Sequence, residues 1–214
     1  TVFLGEKAKR VIAIEIDTDL LPMLHERTER LSNVEVIHAD AREFDPSDYE
    51  LQSQHGVSSG YIVVANIPYN ITSLLIRKLL ESDPPPQRMI LLIQKEVAQR
   101  ICARPPAMSL LSVAVQYYAE PRILFSVART CFSPRPNVDS AVIAITRRCD
   151  GEGIPSRLRG ISFGKSPQRD SSSAAEFFTV VHAGFAHKRK ILISNLVDGL
   201  AIPRGEMESI FAQC

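Results

Sequence analysis

The chain has 214 residues, 45% hydrophobic and 23% charged, and its 25 basic and 24 acidic side chains leave a formal net charge of +1. This is the composition of a globular protein of one large domain or one and a half; it excludes a uniformly basic nucleic-acid coat, so any RNA or DNA contact must use local patches. Cys102, Cys131, Cys149 and Cys214 form no close pair and have no His at ligand spacing, which argues against a disulfide framework or a zinc site, and no apolar run approaches the ~20 residues that span a membrane.

The chain opens at Thr1 and is read as a fragment whose amino terminus lies upstream. Residues 2 to 8 read as the tail of a helix. Residues 10 to 16, Arg-Val-Ile-Ala-Ile-Glu-Ile, have the continuous apolar character of a parallel strand covered on both faces. A helix is expected over residues 17 to 31, where Leu20, Leu21, Leu24 and Leu31 fall at near-helical spacing and Asp17 or Thr18 could cap the amino end. A second strand follows at residues 33 to 38, ended by Ala39-Asp40-Ala41. Both strands finish on a carboxylate. In an open α/β sheet ligands bind beyond the carboxyl ends of the strands, so Glu15 fits the ribose hydroxyls of a nucleotide-like cofactor and Asp40 an adenine amino group. A lone acid in either place also reads as a solvated cap of the next helix, a reading that the ordered succession of the two acids weakens.

After a polar connection at residues 45 to 60, the run Tyr61-Ile62-Val63-Val64 reads as a buried strand, and it leads into Asn66-Ile67-Pro68-Tyr69. Proline fixes φ and supplies no N–H, so the carbonyls before it face away from any ladder. The Asn66 side-chain oxygen and the Ile67 carbonyl could then accept both hydrogens of an exocyclic amine, with the Tyr69 ring offering a face for a flat base. The same residues also suit an ordinary strand-to-helix turn, with Asn66 satisfying its own backbone and Tyr69 in the core.

A helix is expected over residues 72 to 80, stopped by Asp83-Pro84-Pro85-Pro86, then a strand at 88 to 94, a short helix at 95 to 104 and an apolar helix at 107 to 118. Residues 123 to 127 and 140 to 145 read as a closing antiparallel pair. Between them Phe132-Ser133-Pro134-Arg135-Pro136-Asn137-Val138-Asp139 is too rich in proline for sheet interior. If this loop meets the Asn66 turn, Phe132 stands opposite Tyr69 and the two rings sandwich an extruded base; the alternative is a rigid connector with Phe132 as a core plug. Arg135 suits a phosphate contact. Residues 149 to 175, rich in Ser, Gly, Arg and Pro, read as an exposed basic linker, and residues 176 to 214 as a small helical domain. Lys188, Arg189 and Lys190 form a basic cluster there that could grip RNA phosphates.

These motifs resemble a known family. Asn-Ile-Pro-Tyr-Asn-Ile-Thr at 66 to 72, Gln-Lys-Glu-Val-Ala-Gln-Arg-Ile at 94 to 101, Phe-Ser-Pro-Arg-Pro-Asn-Val-Asp-Ser-Ala-Val at 132 to 142 and the block at 177 to 190 are together similar to the small-subunit ribosomal RNA adenine-N6 dimethyltransferases. Residues 8 to 17 and His38-Ala-Asp-Ala41 match as well. The resemblance implies an α/β fold, a Rossmann-like class I methyltransferase sheet with helices on both faces over residues 1 to 148, followed by a small all-helical RNA-recognition domain. It implies S-adenosylmethionine as cofactor, held at Glu15 and Ile16, at Asp40 and Ala41, and at Asn66, which stands between cofactor and target base. Asn66, Ile67, Pro68, Tyr69 and Phe132 would form the catalytic seat. The implied reaction is double methylation of two neighbouring adenines near the 3′ end of small-subunit ribosomal RNA, by a cytoplasmic monomer that uses neither metal nor membrane.

The glycine-rich cofactor loop of the family is absent from this sequence, which puts cofactor binding by this chain alone in doubt. Two other functions share much of the pattern. One is an antibiotic-resistance enzyme that dimethylates a large-subunit adenine; the other is a ribosome-assembly factor that binds RNA without chemistry.

Overall fold

The structure, a computed structural model, describes residues 1–49, 60–148 and 171–213. The chain divides into two compact units, Thr1–Gly60 with Leu74–Pro85, and Tyr61–Ser73 with Pro86–Cys214. In the first, helix α1 (Val2–Gly5) leads to β1 (Val11–Glu15), α2 (Leu21–Thr28) and β2 (Val34–His38). The strands pair in parallel, from Val11 opposite Val34 to Glu15 opposite His38. Asn33 fastens the end of α1, its Nδ2 donating to the Gly5 and Ala8 carbonyls at 2.8 Å each. Helix α2 starts later than its apolar spacing predicts. Its N-cap is Leu20, with no capping side chain and a proline in the first turn, a position where the missing N–H of proline has no intrahelical partner to lose. Asp17, expected as a cap, instead accepts from the Asp19 N–H at 2.9 Å in a local turn. A short 3₁₀ turn at Pro46–Tyr49 follows β2; residues 50–59 of the expected connection lie outside the described residues.

Helix α3 (Thr72–Glu81) buries Leu75, Ile76, Leu79 and Leu80 on one side and ends, as expected, before the prolines at 84 to 86.

The second unit carries β3 (Ile62–Asn66), β4 (Arg88–Gln94), α4 (Lys95–Ile101), α5 (Leu110–Tyr118), β5 (Ala119–Val127) and β6 (Ser140–Arg147), with sheet order β3-β4-β6-β5. β3 and β4 run parallel, while β6 is antiparallel to β4 and to β5. Met89, Leu91 and Ile93 of β4 face Ile145, Ile143 and Ala141 of β6 across the ladder, and all six are at most 1% exposed. Ala98 and Ile101 of α4 and Val115 of α5 are buried as completely; each large aliphatic chain so enclosed contributes about 1.5–3 kcal/mol. β5 starts four residues before the expected Ile123 and contains Pro121, which it tolerates because β5 is an edge strand. The expectation of a buried strand at 61 to 64 fails on one face: Ile62 and Val64 are 57% and 49% exposed. Among the described residues β3 ends the four-stranded sheet and pairs with β4 alone.

Helices α6 (Ser171–Phe185), α7 (Leu192–Leu200) and α8 (Arg204–Ala212) complete this unit. Helix α6 opens inside the stretch read as a linker, of which residues 149–170 lie outside the described residues. It is joined to α5 by four rings: Tyr117 stacks on Phe177 at 4.5 Å between centroids and Tyr118 on Phe178 at 5.8 Å. Ala183, Leu196 and Met207, one from each helix, form the core of the three-helix segment. Gly199 permits the α6–α7 approach, since a Cβ there would lie 2.6 Å from the Ala183 Cβ and 3.0 Å from its Cα. Gly199→Ala is therefore expected to cost about 1–3 kcal/mol through overpacking, more than the gain in helix propensity returns. Urea unfolding of the two proteins measures it; equal midpoints would contradict the packing. Among the described residues, no helix is long and apolar enough to cross a membrane.

Candidate active site

The residues at 66 to 72 form a turn held at several points by hydrogen bonds and burial. The Ile67 N–H continues the ladder to the Leu92 carbonyl at 3.2 Å, and the Ile67 side chain is buried to 2% exposure, pinning the turn to the core. The Pro68 carbonyl accepts from the Ile71 N–H and from the Thr72 hydroxyl, both at 3.2 Å. Three acceptors here have no partner among the described residues: the side-chain amides of Asn66 and Asn70, both exposed, and the Ile67 carbonyl, which with Asn66 lies where the strand stops. Asn66 does not satisfy its own backbone. The competing reading, an ordinary turn closed by its asparagine, therefore does not describe this turn. Tyr69 is not a free core ring either, because its hydroxyl lies 2.9 Å from the Oγ of Ser140, a residue 1% exposed at the start of β6.

That bond joins the turn to the end of the proline loop, whose far end is also clamped. The Asp139 carbonyl accepts from the Lys95 N–H at 3.0 Å, its Oδ1 accepts from the Arg129 N–H at 3.0 Å, and Arg129 Nη1 donates to the Asn137 carbonyl at 3.1 Å. Phe132 is half-buried after a 3₁₀ turn at Arg129–Cys131, and Arg135 and Pro134 are exposed. Among the described residues no direct ring contact joins Phe132 to Tyr69; the expected arrangement is of two rings with a base between them, not of two rings in contact. What brings the loops together is Ser140, a residue the sequence pattern contained but gave no role.

In the first unit, Glu15 and Asp40 stand at the carboxyl ends of adjacent parallel strands, and the Ala39 N–H donates to the Glu15 carbonyl at 3.1 Å. Oε1 of Glu15 accepts from the Ile16 and Asp17 N–H groups at 2.9 Å each, leaving Oε2 without a partner among the described residues. Ile16 is exposed and its carbonyl lies 3.2 Å from His38 Nε2; Ala41 is half-buried. Asp40 is more heavily used than its sequence context indicates. Arg42 donates to Oδ2 through Nε at 2.8 Å and Nη2 at 2.6 Å, and its N–H donates to Oδ1 at 2.8 Å. The spacing Asp-Ala-Arg was the available signal for this clamp.

The Arg42 side chain, then its N–H, holds the Asp40 carboxyl below its ordinary 3.8. Because the folded value is lowered, any stabilisation from this contact is complete above the ordinary value and disappears as pH falls through the lowered one. Asp40 thus remains an acceptor-only carboxylate at neutral pH, with Oδ1 the oxygen still able to take a second donor. Arg42→Ala is expected to move the Asp40 titration back up toward 3.8. A carboxyl-carbon NMR titration reads this directly, and an unmoved midpoint would dissolve the clamp.

Of the basic cluster, Lys188 and Arg189 are exposed at the α6–α7 turn without partners among the described residues, whereas Lys190 Nζ is paired with Asp198 Oδ2 at 2.9 Å.

A family model described as ribosomal RNA adenine dimethylase matches residues 1–152. The chain is 40% identical to the ribosomal RNA small subunit methyltransferase A of Bacillus licheniformis, covering 95% of this chain and 64% of that protein. It is 37% identical to the protein of the same name from a Geobacillus species, over 97% of this chain and 66% of that one. The chain thus spans about two thirds of the length of these curated relatives. A dimethyladenosine transferase structure from Plasmodium falciparum aligns with a TM-score of 0.68 at 26% identity, over 94% of this chain and 66% of that one. The 23S rRNA methyltransferase ErmE aligns at 0.67 and 24% identity over 96% and 72%, a likeness of fold alone.

Proposed function

The chain belongs to the ribosomal RNA adenine dimethylase family, and on that premise we propose that it transfers methyl groups from S-adenosylmethionine to N6 of two adjacent adenines near the 3′ end of small-subunit ribosomal RNA. The observation that carries the reading is a pair of acceptors without partners among the described residues, the Asn66 amide oxygen and the Ile67 carbonyl, in a turn fixed by Ile67 and Tyr69. An adenine amino group offers two N–H donors, and its nitrogen lone pair is delocalised into the ring. Acceptors on both N–H groups favour a pyramidal nitrogen and free that lone pair for displacement. Positioning and electrostatics then supply most of the acceleration, without a strong base. Tyr69, and Phe132 from the neighbouring loop, give the base apolar faces.

The acids of the first unit suit the cofactor by their chemistry. Glu15 Oε2 is an open carboxylate oxygen for ribose hydroxyls, and Asp40 Oδ1 can accept from the cofactor's adenine amino group, with Ile16 and Ala41 as neighbours. S-adenosylmethionine, when bound, supplies an electrophilic methyl group on its sulfonium. Residues 1 to 148 would act as the catalytic domain and 176 to 214 as the RNA-recognition domain, with Arg135, Lys188, Arg189 and Lys190 as phosphate contacts; the protein would work as a cytoplasmic monomer on the small-subunit precursor.

The test is transfer of label from S-adenosylmethionine to undermethylated small and large ribosomal subunits. Label recovered as N6-dimethyladenine in the small subunit is the expected result. Label confined to the large subunit would replace this reading with the resistance activity, and RNA binding without label would replace it with an assembly role.

A further inference from the structure

We propose that the depression lined by Lys95, Glu96, Gln99, Arg129, Val138 and Asp139 receives the nucleotide flanking the target adenine in the RNA chain. The proposal rests on the reading of Asn66 and Tyr69 as the seat of the target base. The depression has a volume of about 340 Å³, at the small end of the about 300–1,000 Å³ typical of small-molecule sites. It suits one nucleotide and is too small for a duplex.

Its position follows from the ladder. Gln94 and Ser140 are register partners, and Ser140 holds the Tyr69 hydroxyl. The next residues outward are Lys95 and Asp139, joined by the Lys95 N–H to the Asp139 carbonyl at 3.0 Å. The depression therefore begins one residue beyond the anchor of the target-base turn. A nucleotide adjoining a base extruded onto Tyr69 lies within reach of this point.

The lining has the mixed chemistry a nucleotide needs. Val138, 41% exposed, offers an apolar surface to a base face. The Lys95 ammonium and the Gln99 amide have no hydrogen-bond partner among the described residues. Lys95 suits a phosphate oxygen, and Gln99 can both donate to and accept from a base edge. Glu96 is 86% exposed on its side chain and only 3.9 Å from Arg100; a carboxylate there would repel phosphate and accept from an exocyclic amino group. The phosphate therefore belongs on the Lys95 side and an amino-bearing base against Glu96 and Gln99. The opposite wall is preset, since Arg129 is held by Asn137 and Asp139 before any ligand arrives.

The experiment places 6-thioguanosine next to the target adenine in a substrate RNA, irradiates the complex and maps the crosslinked peptide, with methylation of the target measured in parallel. Crosslinks within residues 95–99 or 129–139 are expected. Crosslinks elsewhere, with the target still methylated, overturn the subsite and leave the proposed function intact. RNA neither bound nor methylated removes the proposed function, and the subsite with it. Lys95→Ala and Gln99→Ala should each raise KM for RNA about tenfold with kcat unchanged, while Lys95→Arg restores it. Unchanged KM in both alanine variants overturns the proposal, and circular dichroism confirms that they fold.

Discussion

Asn66→Ala is expected to lower kcat for methyl transfer by about 10²–10³-fold, the scale of removing one preorganised polar group from a transition state, while RNA binding changes little. The turn itself does not depend on this side chain. Its fixed points are the main-chain bond from Ile67 to Leu92, the buried Ile67 side chain, the Pro68 carbonyl with its two donors and the Tyr69–Ser140 bond. Alanine at 66 leaves all of them and removes one of the two acceptors proposed for the amine. The ground-state base would still stack and hydrogen-bond to the Ile67 carbonyl, but the nitrogen would lose half of the arrangement that pyramidalises it. Effects confined to kcat are the mark of an interaction made chiefly in the transition state. Single-turnover transfer together with RNA binding by fluorescence separates the two quantities. A rate within a few-fold of the parent would remove Asn66 from the reaction, and a large loss of RNA affinity would recast it as a binding residue.

What the sequence made legible follows the range of the interactions involved. Strand β4 was readable at both ends because its apolar run is bounded by Pro86 and by the polar start of α4, all local signals. The Asn66 turn was readable for the same reason, as an amide and a proline placed where a strand stops. The bond that fixes its geometry was not, since Tyr69 and Ser140 lie 71 residues apart. The four-ring junction of Tyr117, Tyr118, Phe177 and Phe178 likewise joins helices separated in sequence, and neither helix's own periodicity names its partner. The exposed face of β3 escaped notice because a short apolar run reads the same whether one face of the strand is covered or both. Asp40 marks a different limit. An acid at a strand end reads as an open ligand, and only the fold reveals that the Arg42 side chain already takes one of its oxygens and the Arg42 N–H the other.

Glu15 separates binding from chemistry in the opposite sense to Asn66. Glu15→Gln is expected to weaken cofactor affinity by about 10–100-fold, since a hydrogen bond to a charged acceptor contributes about 1.5–3 kcal/mol. The choice of glutamine matters. Oε1 of Glu15 holds the Ile16 and Asp17 N–H groups that shape the end of β1, and an amide oxygen can take over that task. Oε2, the oxygen left open to ribose, would become an NH₂ donor facing hydroxyls that now lack their acceptor. Glu15→Ala would remove both functions at once, so a loss of affinity there would not distinguish a ligand from a turn. Calorimetric titration with S-adenosylhomocysteine, which shares the ribose and adenine but cannot donate a methyl group, measures the effect without turnover. An unchanged affinity in the glutamine variant would take Glu15 out of the cofactor site. The expected pattern is a double dissociation, with Glu15→Gln weakening the cofactor and Asn66→Ala slowing transfer, because in the proposed roles the carboxylate would act on a ligand that binds before reaction and the amide on a nitrogen whose geometry would change during it.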